Sequence, residues 1–192
     1  MDKQSFIKEY NIRDALPINP STRAVPAEGF AQAIEEFINL QFRGVARAKS
    51  EVVSYAAVMV CTEYVAYFFK TLLTEIYGRC FLNVALSSSP TRLSIIIDAD
   101  GELPLSEKQV RNLTRLARSA RMNVFIGTKT IRLSIHFADA VRMRIYAISV
   151  NDGRRIMLGK LVELFYSGEL IDTEKPKNLL DPRPKRRRSR ST

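Results

Sequence analysis

Histidine and cysteine are scarce in this sequence, and their scarcity excludes several kinds of site. The chain contains one histidine, His136, and two cysteines, Cys61 and Cys80. No Gly-x-Ser-x-Gly motif accompanies the histidine, so a Ser-His-Asp or Cys-His catalytic set cannot be assembled. Neither cysteine has a second one at metal-ligand spacing, and we expect free thiols in a reducing compartment rather than a disulfide or a metal site. We expect His136 to be an ordinary residue on a sheet face.

Apolar stretches that would direct the chain to a membrane are also lacking. Residues 1–10 have no apolar run, so a secretory signal is not expected. The most apolar segment, 52–69, contains Glu63, and a spanning helix needs about 20 apolar residues without a central carboxylate. We interpret this segment as a helix buried within a protein, and we expect a cytoplasmic location.

The positive charge is concentrated at one end of the chain. The net charge is +10, and residues 174–192 contribute +6 of it from eight Lys/Arg and two acidic residues. Such a tail can bind phosphates without reading sequence, since it has no aromatic side chain for base stacking. The alternative is a solubilising, disordered end.

Hydrophobic periodicity predicts an α+β domain. Helices are expected at 28–42, 50–77, about 106–122 and 154–166. Strands are expected at 80–87, 92–98, 124–126, 130–137 and 141–150. In the second strand, Leu93, Ile95 and Ile97 face one side while Ser94 and Asp98 face the other. Ser106 and Gln109 form a predicted capping box at the start of the third helix.

Four regions follow from these elements. Residues 1–26 contain three prolines and are interpreted as an irregular arm, and 27–78 as a helical hairpin whose second helix enters the α/β layer. Residues 79–172 form the rest of the sandwich, and 173–192 form the basic tail.

Three segments resemble motifs of the histidine-kinase-type ATPases, the family that includes gyrase B and MutL. The first is 61–70, where Glu63 and Lys70 keep the spacing of the family's N-box and Tyr67 stands at its asparagine. The second is 98–104, Asp-Ala-Asp-Gly-Glu-Leu-Pro, which resembles the Asp-x-Gly-x-Gly-Ile-Pro box. Residues 127–130, ending at Thr130, resemble the last glycine-threonine box. The order of helix, two strands, helix and two strands over roughly 50–137 also matches.

The resemblance implies a two-layer α/β sandwich and a nucleotide site with several elements missing. Asp98 would accept a hydrogen bond from the adenine amino group, and Glu63 would be the base that activates water. Tyr67 is a poor substitute for a magnesium ligand. Acidic residues stand at both glycine positions of the Asp-x-Gly-x-Gly-Ile-Pro box. The flexible lid that the family has after this box is missing, because the next helix begins almost directly after residue 104. The vestigial pocket would comprise Tyr67, Lys70, Asp98, Gly101 and Thr130.

The function expected on this basis is a regulatory or protein-interaction scaffold without enzymatic activity, cofactor or metal. The apolar surfaces of Phe30, Phe37 and segment 52–69 motivate a homodimer through the N-terminal helices. One alternative is an active ATP-dependent, histidine-kinase-like enzyme that binds magnesium ATP. The other is a nucleic-acid-associated protein. Its contacts would come from one helix face and the tail: Arg111, Arg115, Arg118, Lys185, Arg186, Arg187, Arg188 and Arg190.

Overall fold

A computed structural model describes residues 22–54, 56–138 and 149–166 of the chain. Its helices are α1 (Ala27–Gln41), α2 (Thr62–Ile76), α3 (Glu107–Ser119) and α4 (Val150–Tyr166). Its strands are β1 (Arg23–Pro26), β2 (Ala46–Ser50), β3 (Ala57–Val60), β4 (Leu82–Ser88), β5 (Arg92–Ala99), β6 (Asn123–Ile126) and β7 (Thr130–His136). The α+β class expected from the sequence is confirmed. The basic tail and most of the predicted strand 141–150 lie outside the described residues.

The main sheet has five strands in the order β2-β4-β5-β7-β6. β2 runs parallel to β4, and the other neighbours are antiparallel. β1 and β3 form a separate antiparallel pair, which an isolated bridge between Val58 and Phe137 connects to the end of β7.

One face of the main sheet is buried and the other is exposed, as the alternation of residue types dictates. Leu93, Ile95 and Ile97 of β5 are fully buried, and α2 and α3 contribute side chains to the same core cluster. We call the opposite face, formed by the outward residues of the five strands, the open sheet face. It comprises Arg47, Lys49, Asn83, Ala85, Ser87, Arg92, Ser94, Ile96, Asp98, Asn123, Phe125, Thr130, Arg132, Ser134 and His136.

An aromatic cluster joins α1 to α4. The rings of Phe37, Phe42 and Phe165 make edge-to-face contacts, with centroids 5.5 to 6.1 Å apart. Phe30 and Phe37 are 0% and 1% exposed. Phe30 and Phe37, two of the apolar groups that motivated a homodimer, are therefore already covered within one chain and are not exposed to a second copy.

The α1–α4 crossing depends on two glycines. A Cβ added to Gly29 would lie 2.3 Å from the carbonyl oxygen of Val150, and one added to Gly153 would lie 2.5 Å from Cδ of Pro26. Only residues without a side chain allow the backbones to approach this closely. Beside them, Arg154 of α4 forms an ion pair with Glu36 of α1.

The predicted helix 50–77 is wrong in its first part. Residues 46–50 and 57–60 are strands, and α2 begins at Thr62. A short apolar run has no periodicity that separates a buried strand from a buried helix, and the valines at 52, 58 and 60 fit either structure. The two predicted hairpin helices are thus separated by β2 and β3.

Two helix starts are set by serine caps. The predicted capping box of Ser106 and Gln109 is confirmed. At α4, the hydroxyl of Ser149 accepts a hydrogen bond from the backbone N–H of Asp152 at 3.1 Å, which moves the start of the helix to Val150 rather than 154. The Asn-Asp-Gly that suggests a turn in the sequence therefore lies in the first turn of α4.

Among the described residues, no helix is both long enough and apolar enough to cross a membrane.

Candidate functional site

Asp98 and Thr130 are the two predicted pocket residues that the structure brings together. They are cross-strand partners in β5 and β7, and the Thr130 hydroxyl donates a hydrogen bond of 2.7 Å to the Asp98 carboxylate. Both belong to the open sheet face. Asp98 therefore points away from the layer formed by α2 and α3.

Tyr67 and Lys70 lie elsewhere in the domain. Tyr67 is 8% exposed and belongs to the core cluster. The ammonium group of Lys70, also 8% exposed, donates a hydrogen bond to the carbonyl oxygen of Leu164 in α4. Lys70 therefore links α2 to α4 and does not approach Asp98, which faces the other side of the sheet.

Glu63 lies at the start of α2 and is held by α4. Its carboxylate is 3.7 Å from the ammonium group of Lys160, which also contacts Glu163 at 3.0 Å. The thiol of Cys61 donates a 3.6 Å hydrogen bond to the same carboxylate. The ion-pair partner of Glu63 is therefore Lys160, which lies 97 positions further along the chain.

The loop after β5 is held by backbone contacts. Asp100 accepts a hydrogen bond from the backbone N–H of Phe81 at 3.0 Å, and the N–H of Leu103 donates to the carbonyl oxygen of Thr128 at 2.7 Å. A cavity of about 290 Å³ lies between this loop, the first turn of α3 and the β6–β7 turn. Its wall includes Glu102, Leu103 and Leu105, and none of the described residues that line it is a lysine or an arginine. It thus offers a triphosphate no countercharge. Gly101 lies in this loop but is not among the residues that line the cavity.

Hydrogen bonds connect α2 and α3 in the region where the resemblance implies a nucleotide site. The side-chain amide of Gln109 donates a hydrogen bond to the carboxylate of Glu75. After the end of α2, Arg79 donates to the carbonyl oxygen of Pro104 at 3.5 Å. The N-terminus of α3 is therefore held against α2 by its own capping residue, which leaves its first turn engaged within the domain.

Two buried polar side chains on these helices have no hydrogen-bond partner among the described residues. They are the hydroxyl of Thr71 in α2 and the amide of Asn112 in α3, which are 5% and 7% exposed. An unsatisfied buried group costs about 1–3 kcal/mol. Sequence reasoning missed both, since a polar residue on an otherwise amphipathic helix has no distinguishing local pattern.

The arginine face of α3 is exposed as expected. Arg111, Arg115 and Arg118 all point to solvent. Arg111 forms a 3.1 Å ion pair with Glu107 one turn earlier, a pairing that contributes about 0.3–0.5 kcal/mol at a surface. The tail residues predicted to act with this face lie outside the described residues.

The two cysteines and the histidine lie in the kinds of position that the sequence predicts. Cys61 is buried and Cys80 partly so, both as free thiols, and burial raises the pKa of each. His136 is exposed on the open sheet face. Within the described part of the chain, no group of three or more His, Cys, Asp or Glu side chains is arranged to hold a metal ion.

Comparison with known proteins gives similarity at the level of architecture. No known family and no curated protein matches the chain. Solved structures that are similar to it include two histidine kinases. The cytoplasmic segment of the histidine kinase QseC is 10% identical, with 71% of this chain and 89% of that chain covered at a TM-score of 0.43. The Acinetobacter baumannii histidine kinase AdeS is 8% identical, with 71% and 75% covered at a TM-score of 0.38.

Proposed function

We propose that this chain is a non-catalytic α+β scaffold whose fold resembles that of histidine-kinase ATPase domains, and that it acts in regulation by binding another protein. The observation that carries the proposal is the direct connection of α2 to α3 through Glu75 and Gln109. In the ATPases that the sequence resembles, the equivalent region has to admit a nucleotide. Here the side-chain amide of Gln109, which belongs to the capping box of α3, donates a hydrogen bond to Glu75 of α2 instead.

The dispersal of the motif residues supports the same proposal. Glu63 and Lys70 bind α4, and Asp98 pairs with Thr130 on the open sheet face. A general base requires a substrate within hydrogen-bond reach. Glu63 instead has a lysine beside it, so its role in this proposal is to attach α4 to α2.

Isothermal titration of the full chain with magnesium ATP tests the loss of the nucleotide site. We expect no submillimolar binding and no rise in the thermal midpoint that depends on Asp98, because a ligand that binds only the folded state must raise that midpoint. A submillimolar dissociation constant that disappears in Asp98→Asn but survives in Asp152→Asn would overturn the proposal. Asp152 is the matched control because it is exposed and lies at the start of α4.

A further inference from the structure

The open sheet face is arranged in cross-strand rows that differ in chemistry. One row runs Lys49, Ala85, Ile96, Arg132 and Phe125 from β2 to β6. The neighbouring row runs Ser87, Ser94, Ser134 and Asn123. An apolar and cationic row therefore lies beside a row of hydroxyl and amide groups, on a surface whose strands are about 4.8 Å apart.

The face carries a net positive charge that the described residues do not neutralise. Its cationic side chains are Arg47, Lys49, Arg92 and Arg132, and its one carboxylate, Asp98, is bonded to Thr130. Lys49 pairs with Glu51, whereas the three arginines form no ion pair with any described residue. Their guanidinium groups are available for an anionic ligand.

A groove of about 380 Å³ lies on the β6 side of this face, between β5, β7 and β6. Arg92 and Arg132 contribute to its wall together with Ser94, Asn123 and Ser134. Phe125 borders it and is 64% exposed, although a phenylalanine ring is one of the most costly groups to leave in water. Cations, hydrogen-bonding groups and a free aromatic ring thus surround one groove.

We propose that the open sheet face binds single-stranded nucleic acid in this groove, with a base stacked on Phe125 and the backbone phosphates held by Arg92 and Arg132. A flat sheet gives unpaired bases access to an aromatic ring, and stacking on such a ring tolerates any base. The planar guanidinium group matches phosphate oxygens through two parallel hydrogen bonds. The row of serines and Asn123 is placed to donate to and accept from base edges. This inference is independent of the proposed scaffold role and concerns the side of the domain opposite to α2 and α3.

Fluorescence anisotropy of a labelled oligo-U or oligo-dT of about 16 nucleotides, titrated with the full chain, tests the proposal. We expect Phe125→Ala to weaken binding about tenfold through the loss of stacking, and Phe125→Tyr to restore it. The double variant R92Q/R132Q should weaken binding at least as much. It should also reduce the dependence of affinity on salt between about 50 and 200 mM, since fewer counterions are released.

Two charge-matched variants separate this face from the other basic surfaces. R115Q/R118Q removes two charges from α3, and R186Q/R187Q removes two from the tail. Equal losses in all three double variants, with Phe125→Ala unchanged, would overturn the proposal and assign the binding to general charge. Unaltered binding in R92Q/R132Q, or displacement of the probe by poly-glutamate at matched charge concentration, would overturn it as well. Circular dichroism and thermal midpoints of every variant confirm that each is folded.

Discussion

The side-chain amide of Asn39 in α1 pairs with both backbone groups of Ala48 in β2. Its Nδ2 donates to the carbonyl oxygen of Ala48, and its Oδ1 accepts from the N–H of Ala48, both at 2.9 Å. β2 is the edge strand of the main sheet, and an unpaired edge is a template for another chain. At Ala48, Asn39 therefore makes the two hydrogen bonds that a neighbouring sixth strand would otherwise make.

Removing this amide should destabilise the domain and uncover the edge. We expect Asn39→Ala to lower the free energy of unfolding by about 1–3 kcal/mol, because it leaves two backbone groups without their partners. Asn39→Asp should cost a similar amount, since the carboxylate cannot donate. Urea denaturation measures both. Gln32→Ala is the control on the same helix, because Gln32 bonds only to the Glu28 side chain. A change below about 0.5 kcal/mol in Asn39→Ala would show that water replaces the amide without loss.

The backbone contact at the α1–α4 crossing predicts an asymmetric response to glycine substitution. Gly29→Ala should destabilise by about 3 kcal/mol or more, because its Cβ would overlap the Val150 carbonyl oxygen and two helix backbones would have to separate. Gly44→Ala is the matched control, with nothing within 4 Å of the added Cβ, and it should be neutral or slightly stabilising. Similar urea midpoints for the two variants would contradict the crossing geometry.

Glu63 and Lys160 provide a test of a structural against a catalytic role. We expect a double-mutant cycle with Glu63→Gln and Lys160→Gln to give a coupling of about 0.5–1 kcal/mol, the range for a partly exposed pair. Lys160 also contacts Glu163, so Glu163→Gln with Lys160→Gln is run as the comparison cycle. A coupling of zero at Glu63 would remove its assigned role in attaching α4.

Stability should fall in alkaline solution through the buried thiol. Burial raises the pKa of Cys61 above its ordinary value, so the folded state holds its proton where the unfolded state releases it. The resulting stabilisation is complete below the pKa of the unfolded thiol, about 8.5, and is lost as the pH rises through the folded pKa. Unfolding free energies from pH 7 to 10 should decline less steeply in Cys61→Ala. Equal slopes in the two proteins would refute the assignment.

The burial of α1 against α4 leads us to expect a monomer. With Phe30 and Phe37 covered inside the chain, we expect light scattering at micromolar concentration to give a mass near the 21.8 kDa of one chain. A mass near twice that value would require a dimer through some other surface.

Local patterns in the sequence were sufficient to predict β5 and the start of α3. The alternation in β5 and the capping box of α3 are decided by neighbouring residues, and both are confirmed. The same alternation already placed Asp98 opposite Ile97, so it held the signal that Asp98 faces away from the helices. The family resemblance of the surrounding motif obscured that signal.

Contacts between distant segments could not be predicted in this way. Nothing local to Glu63 indicates Lys160, and nothing local to Asn39 indicates Ala48. The error at 50–61 has the same origin, because β3 is a strand only through its pairing with β1. The composition of the open sheet face likewise could not be predicted from local sequence, because Phe125 and Arg132 become neighbours only through the register of the strands.

The glycine-mediated crossing of α1 and α4 also has a consequence during synthesis. About 120 residues separate Gly29 from Val150, and at roughly 5–20 residues per second the ribosome needs on the order of 6–24 s to make them. For that interval the nascent chain contains α1 without the helix that covers its phenylalanines. The order of translation therefore makes the beginning of this domain one of the last parts to be completed, with its apolar side chains uncovered until α4 has been made.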